Sequence, residues 1–257
     1  MTRRRVVDII CASAVVLVSV VIWLLATASY DRSRHLVTCK GLETVILDSM
    51  ERKFVSPADV EHFLEDYGPW RGQRLEEVDL DSMEVILDSK GAILKSNAWT
   101  GDDGMLHVEI SQRAPVIRFQ IGADGWYADA SGFLFPLQER FPVRVPVVDG
   151  AIPLTLTKSF KGFPQSADEL EWLLRMTALA GKMNGFWSTR ISQIHVMDDG
   201  ELMMIPRQGD ECFRFGSPTS VDAKFGKMKL YYECIAPSRE TPYKSVDLRF
   251  DGQIVCR

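Results

Sequence analysis

Hydrophobic positions fall into three regimes along the chain. From Ile9 to Tyr30 they form an uncharged run of 22 residues bracketed by Asp8 and Asp31. At about 1.5 Å per residue such a run crosses a hydrocarbon core of about 30 Å, which predicts a transmembrane helix. Arg3, Arg4 and Arg5 precede it, so the positive-inside rule places the N-terminus in the cytoplasm and the rest across the membrane. Ala26-Thr27-Ala28 fits a signal-cleavage site. The run is nevertheless longer than the roughly 7–15 residues of a signal peptide's apolar region, and Trp23 stands near its outer end, as an interfacial anchor would. Residues 1–30 therefore read as cytoplasmic tail and single-pass anchor, and 31–36 as a linker.

Beyond the linker the period changes to 3.6 and 2, and the chain reads as α+β in two blocks. Residues 37–115 open with a strand-like stretch, LVTCKGLETVILD. Ser56, Pro57 and Asp59 then form an S-x-x-D start ahead of a helix with Val60, Phe63 and Leu64 on its inner face. A second helix is predicted from Asp81, with Met83, Ile86 and Leu87 inward. Two strands follow around a turn at Gly101–Gly104, the second carrying Leu106, Val108 and Ile110. The order is β-α-α-β-β.

The second block, residues 116–257, is predicted to be a sheet with helices on it. Ser166 and Glu169 have capping-box spacing, and Leu170, Leu173, Leu174, Thr177 and Ala178 fall on one helical face. ISQIHVMDDGELMMIP reads as a hairpin turning at Asp199-Gly200, CFRFGSP as a strand, and SVDAKFGKMKLYYECI as a helix. The chain closes on VDLRFDGQIVCR, where Val246, Leu248 and Phe250 alternate with Asp247, Arg249 and Asp251. That is a strand with one buried face, placed where a sheet edge is expected.

Composition narrows the function. A chain 46% hydrophobic and 25% charged is ordinary globular material, and its net charge of −5 argues against a nucleic-acid binder. With the basic N-terminus set aside, the remainder is more acidic still. Cys39, Cys212, Cys234 and Cys256 lie beyond the anchor, where disulfides are permitted. If one bridge forms, two of the three C-terminal cysteines are the candidates; buried thiols are an equal alternative. No G-x-S-x-G, HExxH, P-loop or dinucleotide loop occurs. His107 with Glu109, and His195 with Asp198 and Asp199, read as solvated or turn residues. No catalytic, cofactor-binding or metal-ligating residue is assigned, and no cofactor is expected. Most of Trp70, Trp99, Trp126, Trp172 and Trp187 are expected in the core.

SPADVEHFL, LEEVDLDSMEVIL and VEISQRAPVIRF together resemble a POTRA domain of the FtsQ/DivIB family of bacterial division proteins. WYADASGFLFPL, VPVVDG and the closing D-L-R stretch are similar to the segments that follow in that family. The resemblance implies a non-enzymatic scaffold in the inner membrane at the division septum, with most of the chain periplasmic. It implies FtsB/FtsL-like single-pass coiled-coil partners, and neither nucleic acid nor a small-molecule substrate. It further implies that Arg249, Phe250, Asp251, Gly252, Gln253, Ile254, Val255 and Cys256 bind the partner by strand addition to the sheet edge. Phe250 stands where relatives carry Tyr. Whether Asp251-Gly252 makes a tight hairpin or a bend is open at this level, and an edge merely blunted by charge is the alternative. A signal-anchored envelope hydrolase with an unrecognised active site is the alternative function.

Overall fold

The computed structural model describes residues 16–27, 37–50, 53–138, 142–183, 185–238, 241 and 243–257. The chain divides into two compact units, one comprising residues up to Leu47, Val55–Lys90 and Lys95–Ser111, the other Asp48–Phe54, Gly91–Leu94 and Gln112–Arg257. Residues 16–27 are helical (α1), and Val16, Leu17, Val18, Ile22, Trp23 and Leu25 are each more than half exposed. This stretch rises about 18 Å, and no helix among the described residues is long and apolar enough to cross a membrane. The rest of the span read from the sequence, 9–15 and 28–30, lies outside the described residues.

The first unit follows the β-α-α-β-β order: β1 (Gly41–Ile46), α2 (Pro57–Tyr67), α3 (Leu80–Asp88), β2 (Ile93–Thr100) and β3 (Met105–Gln112). β3 lies between the other strands and runs parallel to β1, with Gly41 opposite Met105 and Ile46 opposite Ile110. A parallel pair cannot be joined by a tight turn, so the chain passes through both helices and β2 before it returns. Leu106, Val108 and Ile110 alternate into the core and are fully buried.

α2 begins as its sequence predicts. The Ser56 hydroxyl accepts from the Asp59 N–H at 3.3 Å, and the Asp59 carboxylate accepts from the Ser56 N–H at 2.9 Å. Val60 and Leu64 are buried. Phe63 is only half-buried and carries the Lys90 ammonium 4.4 Å from its ring centroid, so the inner face is narrower than the apolar stripe. α3 starts one residue earlier than predicted, at Leu80, because the Asp79 carboxylate caps the Ser82 N–H at 3.0 Å. Met83 and Leu87 are buried; Ile86 is half-buried.

The second unit is built on β4 (Pro115–Ile121), β5 (Asp124–Asp129), β6 (Leu134–Pro136), β7 (Val147–Gly150), α4 (Ala167–Lys182), α5 (Phe186–Arg190), β8 (Ile191–Val196), β9 (Leu202–Pro206), β10 (Cys212–Gly216), α6 (Val221–Leu230), β11 (Ser245–Asp247) and β12 (Val255–Cys256). Among the described residues the sheet order is β12-β11-β10-β9-β8-β7-β4-β5-β6. The sheet is mixed: β4 with β7, β7 with β8 and β10 with β11 are parallel, and the other neighbours are antiparallel. α4 with α5, and α6, supply the crossovers that the β7–β8 and β10–β11 pairs require. Ile117, Phe119, Val148, Ile194, Met204, Phe213, Phe215 and Val246 form one core with Leu173, Met176, Phe225 and Met228. Phe119, Phe213 and Phe215 are wholly buried, each contributing about 1.5–3 kcal/mol.

Three expectations are corrected here. The Ser166 side chain makes no capping bond; Glu169 is instead engaged by the Thr155 hydroxyl at 3.0 Å. The buried face of α4 is Leu173, Met176, Thr177 and Ala180, together with Leu179, while Leu174 is 42% exposed and Ala178 is exposed. The sheet, not the apolar count, selects the face. No disulfide joins Cys212, Cys234 or Cys256; for Cys212 with Cys256 the reason is that β11 separates their strands. Two strand spacings of about 4.8 Å exceed the Cα separation that a disulfide spans. Of the tryptophans, Trp70, Trp126 and Trp187 are buried, Trp172 is half-buried, and Trp99 is 40% exposed.

Candidate functional site

The last strand read from the sequence is two strands. β11 is hydrogen-bonded to β10, with Cys212 opposite Ser245 and Arg214 opposite Asp247. Val246 and Leu248 are fully buried, but Phe250 is 49% exposed. The alternation fails at Phe250 because the chain has left the strand for a turn at Asp251-Gly252. Gly252 has φ +66°, a left-handed conformation that glycine adopts without strain. The Gln253 N–H donates to the Phe250 carbonyl at 3.4 Å. A hairpin results, and β12 rather than β11 forms the edge.

The register fixes which backbone groups face outward. Ser245 and Arg257 exchange both backbone hydrogen bonds, at 3.0 and 2.9 Å, and Val246 lies opposite Cys256 and Asp247 opposite Val255. Hydrogen-bonded and non-bonded pairs alternate in an antiparallel ladder. Val255 therefore bonds inward to Asp247, while the backbone groups of Ile254 and Cys256 point away from β11. Their side chains pack against the core from the same face as Val246.

Arg249 stands behind this edge in a fixed position. Its Nε donates to Asp247 Oδ1 at 2.9 Å and Nη2 to Asp247 Oδ2 at 2.7 Å, while Nη1 donates to both Glu201 oxygens at 3.0 and 2.8 Å. Arg214 adds a longer pair to Glu201 at 3.7 Å. Hydrogen bonds from Arg249 hold the Asp247 carboxyl below its usual range against the opposing effect of burial. The same contacts, first with Asp247 and then with Glu201, raise the Arg249 guanidinium further above its ordinary value. Its stem crosses Gly216 (φ +72°) so closely that a β-carbon there would lie 2.7 Å from Arg249 Cγ. From α6, Lys227 Nζ donates to the carbonyls of Leu248 and Phe250, pinning the loop that presents Phe250.

Ile254, Val255 and Cys256 thus form the edge, Asp251 and Gly252 its turn, and Phe250 an exposed aromatic beside a guanidinium 5.8 Å from its ring. Glu201 and Lys227, which complete the arrangement, carry no sequence signal: each meets the C-terminal segment only through the sheet order. His107 and His195 meet other carboxylates than the Glu109, Asp198 and Asp199 that stand beside them in the sequence reading. His107 lies 3.1 Å from Glu43 and 3.4 Å from Asp103 and stacks on Trp99, and His195 lies 2.8 Å from Asp149.

A β-α-α-β-β unit followed along the chain by a larger mixed-sheet unit defines a two-unit α+β protein whose first unit has the element order of a POTRA domain. A POTRA-like domain model matches residues 37–111, and the FtsQ/DivIB, C-terminal related model matches residues 114–257. The chain belongs to the FtsQ/DivIB family. Proteins of this family are generally non-enzymatic scaffolds of cell division. No individual curated protein matches the chain.

Proposed function

We propose that the chain is a membrane-anchored division scaffold that recruits an FtsB/FtsL-like single-pass partner by strand addition at β12. The outward-facing backbone of Ile254, the residue that leads into the edge strand β12, carries this reading, because the register of β12 turns it away from β11 and such groups hydrogen-bond an incoming strand. Phe250 and the pinned 248–250 loop offer side-chain contacts beside the backbone ladder. The Arg249 guanidinium, held by Asp247 and Glu201, fixes the segment from which this surface is presented. A two-residue strand is short, which keeps the edge from pairing indiscriminately.

The exposed apolar face of α1 supports an anchor that continues through the uncharged run to either side. With Arg3, Arg4 and Arg5 ahead of it, such an anchor keeps the N-terminus in the cytoplasm and the residues after Tyr30 outside the inner membrane, and the family's role in division puts this reading at the septum. Purification of the full-length protein from native membranes tests the reading. An FtsB/FtsL-like partner should co-purify stoichiometrically; recovery of the chain alone from gently solubilised membranes would overturn it.

A further inference from the structure

Away from the C-terminal edge, a recess of about 380 Å³ is lined by Thr189, Arg190, Arg207, Gln208 and Tyr232. Arg190 ends α5 and Arg207 follows β9, and the Arg207 N–H donates to the Arg190 carbonyl at 2.7 Å. Tyr232 is brought in by a π-helical turn, Tyr231–Ile235, that continues α6; such turns recur at functional sites. The Arg190 guanidinium lies 4.0 Å from the Phe186 ring and 5.6 Å from the Tyr232 ring. Stacking of this kind restricts the side chain while leaving the in-plane N–H donors available.

Other arginines of the chain are matched with carboxylates: Arg71 with Glu61, Arg113 with Asp129, Arg175 with Glu171, and Arg249 with Asp247 and Glu201. Arg190 and Arg207 have no ion-pair partner among the described residues. The other polar groups of the recess are already committed or neutral. The Thr189 hydroxyl donates to the Phe186 carbonyl at 3.0 Å. Burial, and after it a hydrogen bond with the buried Glu211, pushes the Tyr232 phenol well above its usual range and keeps it protonated. What remains are two guanidinium forks and the Gln208 amide.

We propose that this recess binds a phosphate-class dianion. Two positive charges balance the charge of a phosphomonoester near neutral pH, and its three terminal oxygens accept the paired donors of two guanidiniums and an amide. Inorganic phosphate and the monoester headgroup of phosphatidic acid share this chemistry. Calorimetric titration of the full-length protein in neutral detergent with inorganic phosphate, at constant ionic strength, should show saturable binding. Arg190→Gln and Arg207→Gln should each weaken it about tenfold, whereas Arg144→Gln at an exposed position outside the recess should leave it unchanged. If Arg207→Gln fails to fold, Arg207→Lys keeps the charge, removes the fork, and should still weaken binding. Vesicle flotation separates the sources: capture by phosphatidic acid but not phosphatidylcholine, lost in Arg190→Gln, assigns the phosphate to lipid, and no capture assigns it to a soluble ligand. Absence of saturable phosphate binding, binding undiminished in both arginine variants, or binding of polyglutamate alone would overturn the proposal.

Discussion

Replacing Arg249 by Met tests the arrangement behind the edge, because it keeps the aliphatic stem that crosses Gly216 and deletes the donors shared by Asp247 and Glu201. Removing one partner of a fully buried ion pair costs about 3–5 kcal/mol, and of an exposed pair about 0–1. The Arg249 side chain is 30% exposed and that of Asp247 12%, and the substitution keeps the backbone N–H of position 249, which donates to Asp247 Oδ1 at 3.1 Å. Solvent screening therefore brings the expected loss to about 1–2 kcal/mol. Urea is the appropriate denaturant, since guanidinium chloride would screen the pair under study. The loss also has a defined pH dependence. Asp247 titrates below its ordinary value in the folded protein because of Arg249. Its stabilisation is present above the unfolded value of about 3.9 and is lost as pH falls through the lower folded value. Parent and variant should differ fully from about pH 5 upward, and the difference should shrink progressively as pH falls below the unfolded value of about 3.9. A difference under about 0.5 kcal/mol at neutral pH, or one equally large at pH 3, would refute the reasoning.

Cap chemistry separates the two S-x-x-acid motifs: Ser56→Ala should lower stability by about 1 kcal/mol, and Ser166→Ala by less than about 0.5, in matched urea titrations. In α2, Leu64→Ala should cost about 2–5 kcal/mol, and Phe63→Ala clearly less because half of that ring is already in water; equal losses would show that the helix face is misassigned. For the proposed anchor, a reporter active only outside the cytoplasm, fused after Arg257, should be active, and charge reversal at Arg3, Arg4 and Arg5 should reduce its activity. Release of the fusion by cleavage after Ala28 would refute the anchor.

The features legible in the sequence are those set by neighbours along the chain. The alternation of Leu106, Val108 and Ile110, the cap at Ser56 and the turn at Asp199-Gly200 each follow from a few adjacent residues. α4 shows where such reading stops. Leu170 and Leu174 are as apolar as Leu173 and Met176, so composition defines an amphipathic helix without its rotation, and packing on the sheet decides it. Ser166 has the right spacing for a box, yet Thr155, from a distant loop, engages Glu169 instead. At the C-terminus, alternation through Phe250 looked like one strand because the turn at Asp251-Gly252 is too short to interrupt the pattern. The identity of the outward-facing backbone groups came only with the register of β12. Glu201 and Lys227 join Arg249 and its loop through β9 and α6, which no local window contains.

Binding of an FtsB-like partner to three edge variants tests strand addition most directly. The Ile254 N–H points away from β11, so Ile254→Pro removes a donor offered to the partner without breaking the β11–β12 ladder. Ile254→Ala controls for the lost side-chain packing. Val255→Pro removes an inward bond to Asp247 and should damage both the edge and the binding. Partner affinity, measured on the full-length protein with unfolding midpoints taken in parallel, should fall sharply for Ile254→Pro, with the fold no less stable than that of Ile254→Ala, and should change little for Ile254→Ala. Parent-like affinity in a folded Ile254→Pro variant would contradict the account and send the search for the recruiting surface elsewhere.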